Sequence, residues 1–236
     1  SMTQVREILE AIERETRGSK DRTGIIAFKD SGAIEVQAPT TNWNKIYRAL
    51  GKLRISGLTP LADALMKALE AVRRERMRNR DIEPLIVLIS DFSPNIPLAQ
   101  SVGPGHARYT PVRDLIKAAR LVRKAKVRIA AVDVNPEHTK WSKFLKRPYH
   151  DALELASILR MKKEGHSDLM ETILEYDEFR KTFGAFIVAR TGGGRAYLWR
   201  ELLKERSILG AFLGGSQTRS RLRSSDLKTV DSYIQQ

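Results

Sequence analysis

Hydrophobic positions along the chain follow two alternating periods. Residues 3–17 place Val5, Ile8, Leu9 and Ile12 at helical spacing with charges between them, which predicts a helix ended by Gly18. The run TGIIAF (23–28) predicts a short buried strand, and GAIEV (32–36) a hairpin partner, antiparallel at the sheet edge. A helix follows over 43–54. In the stretch 57–80, Leu61, Leu65, Ala68, Leu69 and Val72 share one helical face, and Pro60 stands early, where its absent N–H costs little.

Residues 85–90, LIVLIS, predict a strand buried on both faces, as in a parallel sheet covered by helices. After a Gly/Pro-containing loop over 92–110, Thr110 and Pro111 open a helix carrying Val112, Leu115, Ile116, Ala119 and Val122. VRIAAVDV (127–134) predicts the next strand. Residues 148–163 and 168–183 predict a further helical pair, the second helix opened by Asp168 with Glu171 three positions on. GAFIVA (184–189) predicts a last strand, and RTGGGRAYLWRELLKE a turn into a helix. Strand–helix alternation of this kind predicts an α/β sandwich on a mainly parallel sheet with one antiparallel edge strand. The organisation expected is one domain over 1–206, with 148–183 as an additional layer or a partner surface, and a basic Ser/Arg/Gly-rich tail over 207–236.

In such sheets ligands gather at the carboxyl ends of the strands. That is where Asp91 falls, directly after a strand too apolar to tolerate an unpaired carboxylate. Composition narrows the chemistry available there. The chain has no cysteine, so disulfides, zinc–thiolate sites and cysteine nucleophiles are excluded. No apolar run approaches the roughly 20 residues that span a bilayer. A cytoplasmic setting is expected. The net charge is +14, of which +11 falls in residues 101–236. Such an excess suits nucleic acid, an anionic surface or an acidic protein, or belongs simply to a basic soluble protein.

Two segments carry a family resemblance. DRTGIIAFKDSGAIEVQAPTT followed by LRISGLTPLADALMKALE, and then LIVLISDFSPNIPL, resemble the von Willebrand factor A domain, in particular the type found in the magnesium chelatase D subunit. The resemblance runs continuously over 20–135, and ARTGGGRAYLW is similar to that family's last strand–helix turn. It implies a Rossmann-like three-layer fold and a metal-ion-dependent adhesion site. The ligands there are a D-x-S-x-S run, a threonine from a later loop and an aspartate after the fourth strand. The threonine corresponds to Thr59 and the aspartate to Asp91, with Asn95 four residues further on. Both are hard oxygen donors of the kind Mg²⁺ prefers. Each residue also has a plainer reading, Thr59 as a helix N-cap and Asp91 as a turn cap.

The sequence departs from the family at its start. The first strand and the D-x-S-x-S run are absent from the chain, which reads SMTQVREILEAIERE. Either Ser1 and Met2 are the end of that run, making Ser1 a third metal ligand, or Met2 is a start. An absent central strand leaves ladder groups unpaired on both neighbours. Three repairs are open: direct pairing of strands 23–28 and 85–90, insertion of the apolar tail run SILGAFLGG (207–215), or donation from another copy. The tail run is favoured.

Other candidates are weaker. Asp133 ends the strand after 127 and either lines the same rim or caps a turn. TGGGR (191–195) lacks the Gly-Lys-Ser/Thr ending of a phosphate loop and reads as a tight turn. His106, His138, His150 and His166 show no ligand spacing. No catalytic set stands out, so the expected function is non-enzymatic. The first hypothesis is an interaction module that captures an acidic partner side chain through Mg²⁺; in the chelatase relatives the partner is an AAA+ ATPase subunit. The alternative is nucleic-acid binding through the basic C-terminal half, without metal.

Overall fold

The computed structural model describes residues 2–29, 32–53, 58–92, 94–98, 110–135, 185, 188 and 191–213. Ser1, the four histidines, the helical pair at 148–183 and residues 214–236 lie outside the described residues.

Helix α1 (Met2–Thr16) leads to the hairpin of β1 (Thr23–Lys29) and β2 (Gly32–Thr40). Helices α2 (Trp43–Leu50) and α3 (Leu61–Arg78) follow, then β3 (Leu85–Ser90), α4 (Thr110–Lys124) and β4 (Arg128–Asp133). The chain continues through β5 (Arg195–Leu198), a single turn α5 (Trp199–Leu202) and α6 (Ile208–Leu213). The sheet is in two parts: an antiparallel pair β1–β2, and a parallel sheet in the order β3–β4–β5. Mixed helix and strand, a parallel core and an antiparallel edge are as expected. The register of the parallel core aligns Leu85 with Arg128 and Ser90 with Asp133.

Helices cover both faces. On one face Leu61, Leu65 and Leu69 of α3 and Leu115, Ala119 and Val122 of α4 pack onto Leu88, Ile129 and Ala131, with Phe28 of β1 against the same cluster. On the other, Ile8 and Ile12 of α1 pack onto Ala130 and Val132 together with Leu85, Val87 and Ile89. Leu9 turns toward Ile46 and Leu50 of α2 and toward Ile25 of β1. The apolar spacing in each helix is thus the imprint of one covering layer.

Polar ties fix the direction of the elements. Arg22, just before β1, bridges Glu75 near the end of α3 at 2.7 Å. At the other end of the same helix, Asp63 accepts the Ala33 N–H at 2.6 Å, where the hairpin turns. Arg76 donates to the carbonyls of Ala125 and Lys126 ahead of β4, at 2.6 and 3.1 Å. Strand β1 therefore runs antiparallel to α3 and in the same direction as β3 and β4.

Two sequence expectations are corrected. The expected last strand over 184–189 is not seen in its two described residues: Ala185 and Val188 take helical backbone and are buried in the core. A six-residue apolar run does not by itself distinguish a buried strand from a buried helix; the common burial of positions three apart marks the helix. The glycine turn precedes β5. Gly193 has φ +76, and a Cβ on Gly194 would lie 1.7 Å from the Ile129 carbonyl oxygen, so TGGGR is a packing turn between helix and strand.

The tail run is not a replacement strand either. Residues 208–213 are helical, and Ile208 and Phe212, four apart, bury against α1 and β4. Glu15 of α1 caps this helix. Its carboxylate accepts the N–H groups of Ile208 and Leu209 at 2.6 and 2.9 Å and the Ser207 hydroxyl at 2.6 Å. Nor do β1 and β3 pair directly.

Candidate functional site

The carboxyl ends of β3 and β4 form one rim with the start of α3. Strand β3 ends at Ser90, and the backbone then makes an unusual turn. Phe92 has φ +52 and is fully buried, a left-handed conformation that is costly for a large side chain. The turn is held by the Phe92 N–H, which donates to the Ser90 hydroxyl at 3.1 Å. The result separates neighbours: Phe92 anchors in the core while Asp91 faces solvent.

Asn95 then reaches across the rim. Its side-chain oxygen accepts the Thr59 N–H at 2.7 Å, so the loop after β3 is fastened to the residue that leads into α3. Thr59 is only 9 % exposed. No side chain caps α3, whose N-cap position is Pro60, so the N-cap reading of Thr59 does not hold. Among the described residues, nothing engages the Thr59 hydroxyl.

Other groups on the rim have local work. Asp133 is fully buried, and its carboxylate accepts the Asn135 N–H at 2.8 Å. That satisfies the turn after β4. Gln4, in the first turn of α1, donates to the Val134 carbonyl at 3.1 Å, which brings the start of α1 to this rim. Asp114, 1 % exposed, accepts the Leu98 N–H at 2.8 Å and pins the far end of the loop to α4.

Of the three metal ligands expected from sequence, Thr59 and Asp91 stand on loops that meet at this rim, and Ser1 lies outside the described residues. Among the described residues there is no group of three or more acidic or histidine side chains that could hold a metal ion. Of the expected ligands, the described residues supply the Thr59 hydroxyl and the Asp91 carboxylate. Sequence reasoning noted Asn95 only by its spacing from Asp91 and did not see Ser90, Phe92 or Gln4. Phe92 carried no signal, because nothing in an aromatic residue announces positive φ.

Residues 1–93 match the family model for the von Willebrand factor type A domain. An uncharacterised protein of Methanocaldococcus jannaschii is 27 % identical over 118 residues, half of this chain and 63 % of that protein. The magnesium-chelatase 67 kDa subunit of Chlorobaculum parvum is 32 % identical over 98 residues, 42 % of this chain and 16 % of that protein. The chain thus spans less than two thirds of each of these relatives. Among solved structures, the VWA domain of SpRpn10 aligns with a TM-score of 0.41 at 17 % identity, covering 56 % of this chain and 61 % of that one. No described helix is long and apolar enough to cross a membrane. The motif-bearing first half of the sequence and the strand–helix order that follows it give the same assignment: the chain contains a von Willebrand factor type A domain.

Proposed function

We propose that the chain is a non-enzymatic protein-interaction module whose rim holds Mg²⁺ through Thr59 and Asp91. The observation that supports this most is the Asn95–Thr59 hydrogen bond at 2.7 Å. It ties together the loops carrying the two oxygen donors and leaves the Thr59 hydroxyl unengaged. The donors fit the ion, which takes few protein oxygens and keeps several waters. A bound Mg²⁺ supplies a positive centre for an acidic side chain of a partner. The proposal extends to an AAA+ ATPase subunit as that partner, the partner implied by the family resemblance of the sequence, in an assembly or regulatory role.

Calorimetric titration of the full chain with MgCl₂ tests the metal reading. Saturable binding is expected, lost in Thr59→Ala and in Asp91→Ala while both variants keep their unfolding midpoints. Absence of binding to the parent chain, or unchanged binding in both variants, refutes it. Partner capture should vanish with EDTA and return with Mg²⁺.

A second reading, nucleic-acid binding without metal, has one observation in its favour. Lys117, Arg120, Arg123, Lys124 and Lys126 are all exposed along α4 and the turn after it, and among the described residues none is in an ion pair. Binding of that kind should weaken steeply with salt and ignore chelator.

A further inference from the structure

Helices α3 and α4 lie side by side over one face of the sheet. Their last turns are tied where Arg76 donates to the carbonyls of Ala125 and Lys126. Strand β4 starts there, at Arg128, so this end of the domain is opposite the rim that carries Thr59 and Asp91. Away from the sheet both helices show the same order of side chains. On α3, Arg73 and Met77 stand four apart, with Arg80 just past the helix end. On α4, Lys117, Leu121 and Lys124 recur at helical spacing. Each row is a large apolar residue between two cations. All six are exposed, Met77 by 80 % and Leu121 by 40 %. Among the described residues none of the four cations is in an ion pair. Glu70, one turn back on the same face of α3, is held by Lys67 at 2.9 Å, and Asp81, in the turn beyond Arg80, offsets one positive charge.

We propose that this two-helix face docks on an anionic lipid surface, with its cations against the headgroup phosphates and Met77 and Leu121 entering the boundary between headgroups and acyl chains. Two adjacent rows on neighbouring helices define a plane, which fits a flat, negatively charged surface. The flexible stems of Lys and Arg lie along apolar material while their charged ends stay in the polar layer, so cations and apolar residues engage such a surface together.

Other anionic occupants fit less well. The phosphates of a nucleic-acid duplex engage the cations alone and leave Met77 and Leu121 facing water or phosphate. An acidic peptide docking through apolar anchors needs a concave seat, whereas Met77, at 80 % exposure, projects from its helix. Docking through this end leaves the opposite rim open, so it stands independently of the Mg²⁺ reading.

Co-sedimentation of the full chain with vesicles tests it, one set of phosphatidylcholine alone and one of equal parts phosphatidylcholine and phosphatidylglycerol. Binding is expected to the anionic set and not to the neutral one. Met77→Gln combined with Leu121→Gln should weaken it at least about tenfold. Lys117→Gln combined with Lys124→Gln should also weaken it at least about tenfold, and both variants should keep the parent unfolding midpoint. Met77→Gln alone, at the most exposed position, should weaken binding about threefold and keeps the test available should a double variant unfold. No binding to anionic vesicles, equal binding to neutral ones, or vesicle binding unchanged in either double variant overturns the inference. A short DNA duplex is titrated into the same proteins. Duplex binding that depends on the lysine pair, together with vesicle binding that ignores the apolar pair, gives the face to nucleic acid instead.

Discussion

Replacing Asn95 separates the structural and ligand-binding consequences of the rim. In Asn95→Ala the Thr59 N–H loses its acceptor at a position only 9 % exposed, where water cannot freely replace it. An unsatisfied buried donor costs about 1–3 kcal/mol. For a chain of this size each kcal/mol moves the midpoint by about 2–4 °C, so thermal unfolding should fall by about 2–12 °C. Asn95→Asp keeps an oxygen in place and adds a charge beside Asp91, so it should lose less stability and bind Mg²⁺ more tightly. Asn95→Ala, with the two loops no longer fastened, should bind it less tightly. Calorimetric unfolding and MgCl₂ titration of the three proteins provide both readings. An alanine variant with unchanged midpoint and unchanged Mg²⁺ affinity refutes the idea that this bond organises the rim.

Glu15→Ala removes the acceptor for the two N–H groups that open α6 and should cost about 1–2 kcal/mol, seen as faster hydrogen exchange confined to 208–213. Gly194→Ala places a Cβ 1.7 Å from the Ile129 carbonyl oxygen and should cost more than about 3 kcal/mol in urea unfolding, far above an ordinary surface substitution. Burial, and then the hydrogen bond to Glu13, hold the Tyr47 phenol above its ordinary pKa. The stability tied to its protonated form is therefore complete below about pH 10 and lost as pH rises through the folded value. Stability measured from pH 8 to 11 should fall more steeply for the parent chain than for Tyr47→Phe.

Long periodic segments were legible because a single physical requirement, burial of one face, repeats along them. Helix α1, helix α3 and strand β3 follow directly from their apolar spacing. Short apolar runs were not, because their state is settled by what they meet. GAFIVA and SILGAFLGG both read as strand material, yet Ala185 and Val188, and likewise Ile208 and Phe212, bury at helical intervals. In the second case the deciding contact is Glu15, some 190 positions earlier in the chain. No local pattern encodes it.

The site divides in the same way. Thr59 and Asp91 could be picked out because each has a chemistry that a strand end or helix start must explain. The bond that brings their loops together could not, since it joins an asparagine side chain to a backbone N–H, and every residue but proline offers that N–H. Strand β3 shows the converse: its sequence carries a requirement that the described residues do not meet. LIVLIS is apolar on both faces, a composition suited to a strand with covering layers above and below and neighbours on each side. The layers are in place through α1 and α3, and one neighbour is β4. On its other edge β3 has no partner among the described residues, and Ile86, Val87 and Ile89 stay partly exposed where the doubly paired β4 is buried, so the apolar composition of β3 asks for more cover than the described ladder gives it.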